Sequence, residues 1–182
     1  MAKKRFKANL SVDGIESLKR QLLDYKQSLN GKCQLFIQRL AQEGITVAQQ
    51  NVGGFGKYIT FSTAITQSSV NGCKGVMLAT NTGIITSQWL TQEGEKSADV
   101  SPLLMVEFGS GLRAKNPKNV PGVGTGTFPG QTHATNPNGW WYKDLDGVWH
   151  HSYGITPKMP MYMASIEMHK KITKVAREVF GK

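Results

Sequence analysis

From Ile15 onward, apolar residues recur at steps of three and four. Ile15, Leu18, Leu22, Tyr25 and Leu29 draw one stripe along a helix of about four turns. Ser11 or Asp13 offers its N-cap, and Asn30-Gly31 is expected to end it. A second helix is predicted from about 32 to 51. It turns Phe36, Ile37, Leu40, Ala41, Val47 and Ala48 inward, with Gly44 as a weak point. Two joined helices with one greasy face each need a sheet to cover.

The period then changes to two. After Gly53-Gly54-Phe55-Gly56, the positions Ile59, Phe61, Thr63 and Ile65 alternate with Tyr58, Thr60, Ser62 and Thr66, which predicts a strand with one buried face. Asn71-Gly72 suits a type I′ turn, so Cys73 to Thr80 reads as the returning strand. Ile84 to Leu90 is a third strand, and the polar stretch Thr91 to Asp99 is read as a loop. Ser101 caps a short helix, Pro102 to Phe108, with Pro102 in the first turn, where a missing N–H costs nothing. Between Gly109 and Gly139 there are seven glycines and four prolines but no sustained period, hence a long loop. Residues 139–143 and 148–151 pair as an aromatic hairpin around Asp146-Gly147, and Pro157 and Pro160 lead into a last helix, about Met161 to Phe180. The sum is one α+β domain over 1–182. An antiparallel sheet is packed by N-terminal helices and a C-terminal helix, with a basic arm at 1–10, an extended loop at 112–138 and the hairpin at 139–153.

At 182 residues the chain has room for one core. Its 22 Lys and Arg against 12 Asp and Glu give a net charge of +10, a field that favours anionic partners. No run approaches the roughly 18 to 20 apolar residues of a membrane span, and the basic N-terminus lacks the apolar core of a signal peptide. Cys33 and Cys73 show neither C-x-x-C spacing nor neighbouring histidines. They read as free, buried thiols of a reducing compartment.

Chemistry is sparse. The run from Pro121 to Gly130 is glycine-rich but lacks the GK[ST] and strand–turn–helix contexts of phosphate-binding loops. His150 and His151 are strand neighbours that face opposite ways, which disfavours a shared metal, and no cofactor or metal site is expected. Neither a nucleophile elbow nor an activated cysteine is present. Glu107 stands near the end of an apolar helix, where a carboxylate opposes the helix dipole and calls for a partner; an ion pair or an intersubunit contact is expected. A carboxylate hydrolase pairing Glu107 with Asp144 or Asp146 is the weakest reading. The aromatic group Trp140, Trp141, Tyr142, Trp149 and Tyr153 in a basic chain suggests an alternative, a nucleic-acid-binding module that stacks bases on the hairpin, although strand alternation must turn about half the rings inward.

The order Val106-Glu107-Phe108-Gly109-Ser110-Gly111, a Gly/Pro-rich loop, Gly139-Trp140-Trp141-Tyr142, Asp146-Gly147, His150, Gly154 and Pro160-Met161-Tyr162 resembles the tail-completion, or head-tail joining, family of long-tailed bacteriophages. In that family a VEFGTG-like signature ends a short helix, an aromatic hairpin follows, and a Pro-Phe-Met-Tyr-like step opens the last helix. Here Ser110 replaces the usual Thr and Met161 the aromatic; residues 116–138 follow no family pattern.

The resemblance implies a non-enzymatic virion protein, assembled in the host cytoplasm. It would form a ring of six, or alternatively twelve, subunits at the neck. Its neighbours would be the head connector or completion proteins on one side and the tail terminator or major tail tube protein on the other, with packaged DNA as a further contact. A ring subunit makes heterologous contacts on two sides, which rewards arms and loops. The candidate interface residues are Lys3, Lys4, Arg5, Glu107, Phe108, Gly109, Gly111, Arg113, Lys115, Lys118, Phe128, Trp140 and Trp141.

Overall fold

The computed structural model describes residues 5–69, 72–114, 137–143 and 146–181. Their order is helix α1 (Val12–Asn51), strands β1 (Ile59–Ser69), β2 (Gly72–Asn81), β3 (Ile85–Thr91) and β4 (Gly94–Val100), helix α2 (Pro102–Phe108), strands β5 (Trp140–Lys143) and β6 (Trp149–Ser152), and helix α3 (Pro160–Phe180). The fold is α+β with antiparallel pairing throughout these strands.

The two expected N-terminal helices are one continuous helix of 40 residues, about 60 Å long. Asn30-Gly31 does not break it. A mid-helix glycine costs only about 1 kcal/mol relative to alanine, and Asn30 is anchored from outside. Its Nδ2 donates to Ser68 Oγ at 3.0 Å, and its Oδ1 accepts from the Cys73 thiol at 3.3 Å. The cap is Ser11, whose hydroxyl accepts from Gly14 N at 3.1 Å.

The strands form two sheets, not one: a β1–β2 hairpin and a four-stranded sheet ordered β4-β3-β5-β6. The hairpin runs from Ile59↔Asn81 to Ser69↔Gly72, with a register shift between Ile65 and Gln67; Gly72, expected as the second central residue of the turn, is instead the first residue of β2, and residues 70–71 before it lie outside the described residues. β4 was expected as loop. It is an edge strand paired with β3 alone, and its interior from Glu95 to Asp99 is exposed on both faces, so no hydrophobic alternation marks it. The aromatic hairpin forms as expected and joins β3 through Gln88↔Lys143 and Trp89↔Tyr142.

The core has two parts. Val52, Ile59 and the fully buried Val106 meet Phe55, Tyr58, Phe61, Ala79 and Leu103 beneath α2. The C-terminal half of α1 packs against both α3 and the β1–β2 hairpin; it buries Ala41, Ile45 and Ala48, and α3 buries Ala164, Val175 and Val179. The Lys171 ammonium of α3 bridges to Glu43 of α1 at 2.9 Å and lies 3.5 Å from Glu167 on its own helix. The N-terminal half of α1 is more open, although the Phe6 ring meets Tyr25 of its stripe at 5.6 Å. Ile15, Leu22 and Leu29 are 55%, 46% and 41% exposed, so the first predicted stripe does not face a sheet.

Candidate functional site

The segment from Glu107, at the end of α2, to Gly111 is tied by several hydrogen bonds to the approach to α3. Met159, which precedes that helix, is left-handed (φ 53°) and offers no side-chain cap, and Pro160 follows. The leading amides of α3 are therefore met from elsewhere: the Glu107 carboxylate accepts from Met161 N at 2.9 Å and from Tyr162 N at 3.1 Å. It does what Ser or Asp does at an ordinary N-cap, and it sits at the positive end of the α3 dipole. Burial pushes the Glu107 carboxyl above the usual carboxylate range, while the two amides pull it partly back. The expected compensating partner is thus a pair of backbone amides within the same chain, not a cation.

Around this cap the two segments are laced together. Lys158 N and Met159 N both donate to the Val106 carbonyl, at 2.8 and 3.2 Å. Ser110 N donates to Ile155 O at 2.9 Å, and the buried Ser110 hydroxyl accepts from Ile155 N at 3.0 Å. Gly109 and Gly111 have φ of 76° and 59°, in the left-handed region that favours glycine. A Cβ on Gly109 would stand 2.5 Å from Ile155 O, and one on Gly111 would strike the Trp140 ring. The Glu-Phe-Gly-Ser-Gly run is therefore a joint whose every polar and small residue has a mechanical reason.

Beside the joint, a cleft of about 570 Å³ opens between the four-stranded sheet and the turn Gly53–Tyr58. Phe55, Tyr58, Met105, Trp140, Tyr142 and Ile155 give it apolar and aromatic walls, and Lys143 is the cation among its lining. Among the described residues no carboxylate or histidine lines it. Nor does any group of three His, Cys, Asp or Glu among them cluster at metal-binding range.

The hairpin divides its rings between two faces. Trp140 turns inward against Gly111, whereas Trp141 is 50% exposed and stands edge-on to His151, with ring centroids 5.1 Å apart. His151 in turn meets the exposed Tyr153 ring at 4.8 Å. Tyr142 stacks on His150 at 5.6 Å, so the two adjacent histidines have separate neighbours.

Of the interface residues expected from sequence, Glu107, Phe108, Gly109, Gly111 and Trp140 converge on the joint, with Gly109 and Gly111 buried. Arg5, Arg113 and Trp141 are exposed. Lys3, Lys4, Lys115, Lys118 and Phe128 lie outside the described residues, as do the loop from 115 to 136 and Asp144. The sequence reading missed the reciprocal half of the joint, Ile155 to Met159, where the proline at 157 and the glycine at 154 were the available signals. It also missed the exposed apolar stripe of α1. The chain matches no protein-family model, no curated protein and no solved structure. Among the described residues no helix is long and apolar enough to cross a membrane.

Proposed function

We propose that this chain is a structural subunit of the neck of a long-tailed bacteriophage, a head-tail joining protein that works by assembling into a ring between head connector and tail tube. The observation that carries the reading is the exposed apolar stripe on the N-terminal half of α1. Ile15, the partly covered Leu18, Leu22, Tyr25 and Leu29 repeat at three- and four-residue steps, on a stretch that rises about 25 Å beyond the half packed by α3. Such a face is costly in water and profitable against a neighbour. The joint supports the same reading, because the motif that resembles the family's signature serves as framework for presenting surfaces. A net charge of +10 suits contact with packaged DNA or an acidic adjoining ring.

The test is complementation in the phage that encodes the chain. Inactivating its gene is expected to leave filled heads and finished tails that do not join, and adding the purified protein to that lysate restores infectious particles. Joined, infectious particles formed without the protein overturn the proposal.

A second reading rests on the exposed Trp141–His151–Tyr153 group, a surface on which bases of a single strand stack. It requires salt-dependent oligonucleotide binding that Trp141→Ala abolishes.

A further inference from the structure

The N-terminal half of α1 leaves the body where the tip of the β1–β2 hairpin reaches the helix, and both cysteines of the chain lie at that crossing. Cys33 is on α1, one turn past Asn30, and Cys73 is the second residue of β2. The Cys73 Sγ lies 3.3 Å from Asn30 Oδ1, 3.9 Å from Asn30 O and 3.8 Å from Ser68 Oγ, which seats it on the helix turn that carries Cys33. Burial, and after it the neighbouring Cys73 thiol, push the Cys33 thiol above its usual range. Both are half-buried rather than buried, and Cys33 lines a cleft of about 420 Å³ shared with Lys26, Leu29, Asn30, Ser69 and Gly72, so a small reagent has a route to Cys33.

We infer that Cys33 and Cys73 are a redox staple: in an oxidising medium they close an intramolecular disulfide that locks the root of the projecting half of α1 to the tip of the β1–β2 hairpin. The partners are brought together by a helix and a strand distant in sequence, which is why the spacing of the cysteines gives no hint of it. The bond would close the long loop from Cys33 through β1 to Cys73, and a loop of that size gives a crosslink considerable leverage on the unfolded chain.

With a low-molecular-weight disulfide such as oxidised glutathione, the step is ordinary exchange. The thiolate of one cysteine attacks a glutathione sulfur and expels one glutathione as thiolate. The second cysteine, as thiolate, attacks the protein sulfur of the mixed disulfide and expels the other. Two protein thiols and one oxidised glutathione become one protein disulfide and two reduced glutathiones, with each cysteine proton passing to a released glutathione thiolate.

The experiment uses the full chain. Reduced protein is incubated with oxidised glutathione, the remaining thiols are trapped with N-ethylmaleimide without denaturation and again after it, and the intact mass is read. The expected product has lost two hydrogens and carries neither glutathione nor maleimide, and it melts higher than the reduced protein by roughly 5 to 10 °C. Under the same treatment Cys33→Ser ends with glutathione or maleimide on Cys73 and shows no such rise. Stable glutathione adducts on the unaltered chain, two maleimides, or a disulfide-linked dimer each overturn the inference.

Discussion

Glu107 shows how one side chain can be misread by type and understood by geometry. A carboxylate near a helix end suggests an ion pair or a catalytic acid, yet its two oxygens are occupied by amides of α3. Replacing it with glutamine keeps the shape but substitutes a donor for one acceptor, leaving an amide of α3 without its bond. The expected loss is about 1–2 kcal/mol of stability, measured by urea unfolding near neutral pH. The titration gives a second readout. Since burial raises the Glu107 carboxyl in the folded chain above its unfolded value, the native state holds that proton more tightly. This contribution favours folding below the unfolded value and declines as pH rises through the folded one. In Glu107→Gln that part of the stability profile, which starts at the unfolded carboxylate value and runs upward in pH, is expected to flatten. An unchanged slope would remove Glu107 as its source. Gly111→Ala tests the other side of the joint: a methyl group at φ 59° against the Trp140 ring is expected to cost about 2–3 kcal/mol.

Among the elements, α1 has two lives. Its C-terminal half is core, with Ala48 fully buried. Its N-terminal half carries leucines that are nearly half exposed. Ala48→Leu is therefore expected to destabilise the chain by about 1–3 kcal/mol through overpacking, whereas Leu22→Gln and Leu29→Gln each stay within about 0.5 kcal/mol. On the proposed function those two glutamines abolish ring assembly while leaving thermal unfolding in place. Calorimetry beside native mass measurement separates the two effects. The same helix marks what was legible in the sequence. Its apolar spacing gave its existence and its cap, but spacing is silent on whether a face meets a partner within the chain, so the stripe at Ile15 to Leu29 was assigned to a core it does not join. β4 was lost for the converse reason, since an edge strand with both faces in water carries no alternation to read. The aromatic hairpin and α2 were legible because turn chemistry and capping are local. The joint was visible only as a motif, since its reason lies in hydrogen bonds to residues some fifty positions away.

For the molecule as a whole, a 40-residue helix of about 60 Å exceeds what a rounded protein of this size accommodates. A compact chain of 182 residues has a radius of gyration near 16 Å. Small-angle scattering from dilute monomer is expected to give at least about 18 Å, and a value at the compact figure would mean that the N-terminal half of α1 folds back.

The dependence of α3 on Glu107 also shapes how the chain reaches this form. The acceptor for the first turn of α3 is contributed 54 positions upstream, so that turn must wait for a non-local encounter while the rest of the helix nucleates by itself. Substitutions at Glu107 should consequently accelerate unfolding far more than they slow folding, which marks the joint as the latch that closes last and sets the lifetime of the native state.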